Sequence, residues 1–174
     1  MSLLFQGVSL TSAGAPTSGV FQVETATAAG TVATAGNASV VVTAAGMTGS
    51  PITVDVPVAL NDTANAIALA IRTTLAANAV IAAFFTVSGA TDKVILTRTK
   101  SAANDATINI AIADGTSVGV TTAASSANTT AGVRGSYRGV PNGTYVTDTT
   151  NTTFYHNTGN GNRPVWTEGF AGQP

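Results

Sequence analysis

Leu60-Asn61-Asp62-Thr63-Ala64-Asn65-Ala66-Ile67-Ala68-Leu69-Ala70-Ile71-Arg72-Thr73-Thr74-Leu75-Ala76-Ala77 is the one long run of this chain with helical periodicity. Ala64, Ile67, Ala68, Ile71 and Leu75 recur at the three- and four-residue spacing that lays them along one stripe of a helix. Asn65, Arg72 and Thr73 fall on the opposite face, with Leu69 at its margin. Asp62 reads as the N-cap, its carboxylate accepting from the free N–H groups of the first turn at the positive end of the dipole. Leu60 before it is placed to fold back on that turn as a hydrophobic staple. A helix with one apolar stripe needs an apolar surface beneath it, and the flanking segments read as strands.

The strand signals on both sides are short and β-branched. Thr25 to Thr34 reads as a first strand interrupted by Gly30, and Ala38 to Ala44 as a second, closed by the turn Gly46 to Pro51. Ile52-Thr53-Val54-Asp55-Val56-Pro57-Val58 alternates cleanly, with Ile52, Val54, Val56 and Val58 on one face. Pro57 cannot donate to a ladder, so that strand belongs at an edge or a bulge. After the helix, Asn78 is a candidate cap for a second short helical turn, with Phe84 and Phe85 plugging the end of the core. Phe85 to Ser88 and Lys93 to Thr99 read as a hairpin, Thr107 to Ile112 as an alternating strand with three isoleucines on one face, and Asp114-Gly115 as a turn before a weak Thr/Val strand. Short strands, one principal helix and more short strands give an α+β fold, mainly antiparallel, with the helix packed on a sheet and a small C-terminal β unit appended.

Three segments follow from composition. Residues 1–22 read as an extended, turn-rich arm, of a kind that is disordered in isolation; the functional reading is an arm that orders against a neighbouring subunit, with Leu3, Leu4 and Phe5 as its anchors. Residues 23–132 form the central module, and Thr121 to Gly132 is small and polar enough to read as a linker. Residues 133–174 hold Tyr137, Tyr145, Phe154, Tyr155, Trp166 and Phe170, and read as a hairpin followed by a third short strand around Trp166. Three short strands cannot make a core alone, so this unit must lean on something else.

Charged residues are only 9% of the 174, far below the roughly 25% of ordinary soluble domains. Thr, Ser and Asn keep such a surface wet, and long-lived assemblies tolerate it. A net charge of −1 excludes a phosphate-tracking basic face, hence nucleic acid as a partner. No window approaches the ~20 apolar residues of a membrane span, and Met1 to Leu10 lack the basic start of a signal peptide. With no cysteine, neither disulfides nor thiolate metal sites are available.

Chemistry is sparse. His156 is the only histidine, flanked by Tyr155 and Asn157, with no serine-centred motif to serve. The acids are dispersed, without paired carboxylates or a calcium-loop pattern. The expectation is therefore no catalytic residue, no cofactor and no metal. The aromatic tail, with Arg134, Arg138 and Arg163 around it, carries the residue types that anchor interfaces. The candidate interface is Leu3, Leu4, Phe5, Arg134, Tyr137, Arg138, Tyr145, Tyr155, Arg163 and Trp166.

Two stretches resemble virion proteins of tailed bacteriophages. Thr27-Ala28-Ala29-Gly30-Thr31, Ile52 to Val56, Asp62 to Ile71, Val94 to Thr97 and Asn104 to Ile110 together resemble a ββαββ insertion module of contractile tail sheath proteins. The more distant resemblance of this stretch is to flagellar hook-associated proteins. Asp148-Thr149-Thr150-Asn151, Tyr155, Asn157-Thr158-Gly159 and Pro164 to Thr167 are similar to short β-units of phage head fibres, decoration proteins and tail fibres. The resemblance implies a non-enzymatic structural protein that decorates and stabilises a capsid from its outer surface. Its implied partners are the major capsid protein, or another virion protein, and further copies of itself, most often as a trimer. A tail tube, tip or fibre component is the second expectation, and a carbohydrate-binding module for a host-surface glycan, using Tyr145, Tyr155 and Trp166, is the third.

Overall fold

A computed structural model describes residues 9–169. It separates into two compact units. A central unit comprises residues 22–99 and 104–131, and a split unit is assembled from residues 9–21, 100–103 and 132–169. The fold is α+β, mainly antiparallel strand with one principal helix, as the periodicities predict.

In the central unit, β2 (Val23–Thr27) and β3 (Gly30–Thr34) replace the single interrupted strand of the sequence reading and enter different sheets. Gly30 makes the break. Its φ is +95°, and a Cβ there would stand 2.2 Å from the carbonyl oxygen of Gly119, so only glycine fits. β4 (Gly36–Thr43) is the middle of a three-stranded sheet between β5 (Ile52–Val58) and β8 (Asn109–Ala113), all antiparallel. β5 is an edge strand, which is where Pro57 belongs.

β6 (Phe85–Ser88) and β7 (Lys93–Arg98) form the expected hairpin. They continue through β2 to β10 (Ala127–Thr130), giving the order β10-β2-β7-β6. β3 pairs with β9 (Val118–Val120).

The helix α1 spans Ala64–Ala77 and buries Ile67, Ala68, Ile71 and Leu75. These join Val40, Val42, Val56, Ile110 and Ile112 of the three-stranded sheet, and Val94, Leu96 and Phe85 of the four-stranded one, in a single apolar cluster. Each large aliphatic side chain there contributes roughly 1.5–3 kcal/mol from burial. Two expectations at the helix start are corrected. The N-cap position is Thr63, without a side-chain cap bond. Asp62 instead turns its Oδ2 back to the Ala59 N–H at 2.8 Å, bracing a turn in which Asn61 has φ +70°. Leu60 is 58% exposed and staples nothing. At the far end Asn78 ends α1 and opens α2 (Ala79–Phe84), its Oδ1 accepting from the Val80 and Ile81 N–H groups. Phe85 is buried beneath it, with the Phe84 ring edge-on at 4.9 Å.

The stretch 121–131 is not a linker. β10 pairs antiparallel with β2, and Ser126 accepts from the Ile110 N–H while donating to Glu24. All four β10 side chains are exposed, so its place in the sheet rests on hydrogen bonds, of the backbone and of Asn128 and Thr129, and leaves no apolar pattern to read.

The split unit carries a four-stranded sheet in the order β1-β11-β12-β13: β1 (Ser9–Ser12), β11 (Tyr145–Asp148), β12 (Thr153–Asn157) and β13 (Trp166–Glu168). β1 runs parallel to β11, and the other pairs are antiparallel. The described part of the expected arm thus belongs to the same unit as the C-terminal hairpin and supplies its fourth strand.

The interior of this unit is small and largely polar: Val146 and Trp166 lie beside buried Asp148, Asn157, Thr144 and Ser101. Asn157 is satisfied on both ends, its amide donating to the Val140 and Pro141 carbonyls and its Oδ1 accepting from Gly159 N–H and Val165 N–H. Hydrogen bonding of this kind substitutes for the apolar mass that three short strands lack.

Candidate docking face

The register of the split unit's sheet sorts its side chains into two faces. Tyr145 lies opposite His156, and Thr147 opposite Phe154; Val146 lies opposite Tyr155, and Asp148 opposite Thr153. Across the next pair, His156 faces Thr167 while Asn157 faces Trp166. Because side chains alternate along a strand, Val146, Asp148, Asn157 and Trp166 point inward. Tyr145, Thr147, Phe154, His156 and Thr167 point outward with Thr11 of β1. Tyr145 is 45% exposed and Phe154 43%, although both are large aromatics. The Tyr145 and His156 rings lie 6.1 Å apart and tilted by 36°, side by side on the surface. The result is an outward face of aromatic rings separated by threonine hydroxyls.

The turn that sets this register is built by Asp148. Its Oδ1 accepts from the N–H groups of Thr150 and Asn151, and its Oδ2 from the Asn151 amide at 2.8 Å. The Asn151 bond is the main reason its carboxyl is held below the usual carboxylate range, against the opposing effect of burial. On the inward side, Tyr155 has its phenol pushed up, first by burial and then by the Glu168 and Asp148 carboxylates. It remains a neutral hydrogen-bonding group through neutral pH.

The seven described residues of the ten expected from sequence do not share one face. Leu3, Leu4 and Phe5 lie outside the described residues. Trp166 is 8% exposed and belongs to the interior: its indole N–H donates to the Ser136 carbonyl, and its backbone N–H to Ser18 Oγ. It is therefore corrected from a surface anchor to a core residue, an indole with its polar edge satisfied inside. Tyr137 sits edge-on to that indole at 5.9 Å and donates its hydroxyl to the Thr11 carbonyl. Tyr155 is half-buried on the inward face. Arg138 donates to the Ser101 carbonyl, Arg163 covers the Phe21 ring at 5.2 Å, and Arg134 is exposed. Only Tyr145 lies on the outward face. Phe154 and His156 join it there, and the signal for them was period-two alternation across the hairpin rather than aromatic content.

Charge is unevenly divided. Lys100, Arg134, Arg138 and Arg163 outnumber Asp148 and Glu168 in the split unit. In the central unit Glu24, Asp55, Asp62, Asp92, Asp105 and Asp114 outnumber Arg72, Lys93 and Arg98. The single ion pair among the described residues joins neighbours, Lys93 and Asp92, at 3.4 Å.

Two concavities stand out among the described residues of the central unit. A polar cleft of about 410 Å³ is lined by Glu24, Asn104, Asp105, Asn109, Ser126 and Asn128. Burial pushes the Glu24 carboxyl up, partly offset by the bond from Ser126. A more apolar groove of about 400 Å³ lies between the turn at Met47 and α2, lined by Val80, Ala83 and Phe84. Comparison of the chain with protein-family models, curated proteins and solved structures finds no match.

Proposed function

We propose that this chain is a non-enzymatic structural protein of a tailed-bacteriophage particle, decorating and stabilising the outer surface of the capsid. In this reading it docks on the major capsid protein through the outward face of its split unit. The observation that carries the reading is that Tyr145 and Phe154, both more than two-fifths exposed, lie on the same face of a hydrogen-bonded sheet. Large aromatics on a rigid sheet with a low-charge surround are what the centre of a protein–protein interface presents. The resemblance of the Asp148–Thr167 stretch to decoration and head-fibre β-units points to a shell as the surface it meets. The positive excess of the split unit suits an acidic partner surface.

The test is to image the particle that carries this protein and count its copies. Density in many symmetry-related copies on the head, with the Tyr145 face against the shell, is the expected result. Density confined to the tail would replace this reading with a tail component. The same face also fits stacking on sugar rings, since His156 and Tyr145 lie side by side with flanking threonine hydroxyls. Specific capture of a host-surface glycan by the purified chain, without affinity for the capsid, would favour that second reading.

A further inference from the structure

We propose that β1 is exchangeable between copies of this chain, the Ser9–Ser12 strand of one copy filling the sheet edge beside β11 of another. β1 occupies an outer position and pairs with β11 alone, in the register Ser9 to Tyr145 through Ser12 to Asp148. Its remaining ties also reach its backbone. Tyr137 donates its hydroxyl to the Thr11 carbonyl at 2.6 Å, and Thr149 donates both N–H and hydroxyl to the Ser12 carbonyl. Every copy of the chain presents these main-chain groups identically, so the bonds made within one copy are equally available between two.

Among the described residues, leaving that position strips little from the interior. Leu10 is only partly buried, whereas Val146, Asp148, Asn157 and Trp166 are held by β11, β12, β13 and the loops around them. The joint is also local. Around Gly14 no heavy atom stands within 4 Å of where a Cβ would be. Five residues on, Gly19 is fixed: a Cβ would meet Ser101 Oγ at 2.6 Å, and its N–H donates to the Pro164 carbonyl at 2.7 Å. Val20 then pairs with Val133. The segment after Pro16 is therefore anchored, and Gly14 stands in open space between that anchor and β1.

Because the contacts are the same in either arrangement, the balance is set by the concentration of neighbouring copies against the effective concentration of the chain's own strand. Copies crowded on a common surface would be joined strand to strand. Such a head-to-tail linkage closes into a ring or continues. The inference is independent of which surface the protein decorates.

The chain lacks cysteine, which makes a direct test available. Thr11 and Thr147 are register partners on the outward face, so Thr11→Cys/Thr147→Cys forms a disulfide within one chain or between two, according to whose strand is docked. Under oxidation, non-reducing gels are expected to show interchain dimers and larger species. Their ratio to the intrachain form should rise roughly tenfold for a tenfold rise in concentration. Mixed copies of two tagged lengths should give hybrid dimers. Intrachain linkage alone at every concentration would overturn the proposal. Leu10→Cys/Val146→Cys, the inward register pair, provides a second version should the first fail to fold. Absence of hybrid dimers from mixed copies in which the intrachain link forms would also overturn it.

Discussion

Glu24 shows how a single residue of the central unit carries a strain that the rest of the fold offsets. It points inward from β2, is 3% exposed, and takes one hydrogen bond, from Ser126 Oγ at 2.7 Å. Desolvation dominates, so its carboxyl holds a proton more tightly folded than unfolded, where the ordinary value is 4.5. Between that value and the raised folded one the native state binds more protons than the unfolded state, so stability falls as pH rises through this window. Above it the burial penalty is present in full. Glu24→Gln keeps an oxygen for Ser126 and removes the charge. It is expected to raise the melting temperature at pH 7, with the two proteins converging as pH falls below about 4.5. A variant less stable than the parent at pH 7 would contradict this. No spacing rule identifies such a residue: an alternating Val-Glu-Thr-Ala-Thr strand reads equally well with the glutamate facing water.

At the scale of elements, periodicity was the reliable guide wherever one face carried large apolar side chains. The stripe of Ile67, Ile71 and Leu75 located α1, and the alternation of Ile52 to Val58 and of Ile108, Ile110 and Ile112 located two strands with their inward faces. Where hydrogen bonds rather than apolar packing do the holding, the sequence is silent. β10 has four exposed small residues, β1 is a short parallel edge, and both sit in compositions that read as linker or arm. The cap failed for a related reason: Asp62 has two backbone options within a few residues, and the turn at Ala59 took it. The two faces of α1 differ enough to measure. Ile71→Ala, at a fully buried position, is expected to cost about 2–5 kcal/mol in denaturant unfolding of the central unit. Leu69→Lys, at a position 58% exposed, should stay within about 0.5 kcal/mol of the parent. Equal losses from the two would mean that the outer face of α1 is covered.

For the whole molecule, the aromatic tail divides its labour. Trp166 and Tyr137 spend their rings inside the split unit, together with Asn157 and Asp148, in an interior that is mostly hydrogen-bonded. Tyr145 and Phe154 spend theirs on the outside. Aromatic content alone pointed to the segment but could not sort it, because inward and outward follow from the register that the Asp148 turn imposes. That sorting is also what makes the docking reading testable apart from folding. The measurement is co-sedimentation of the purified chain with capsids that lack it, comparing the parent with Tyr145→Ser/Phe154→Ser. The double variant is expected to fold as the parent does by circular dichroism and to lose at least about tenfold in capsid affinity, the scale of two exposed anchors of roughly 1 kcal/mol or more each. Undiminished capsid binding by the folded double variant would contradict the account.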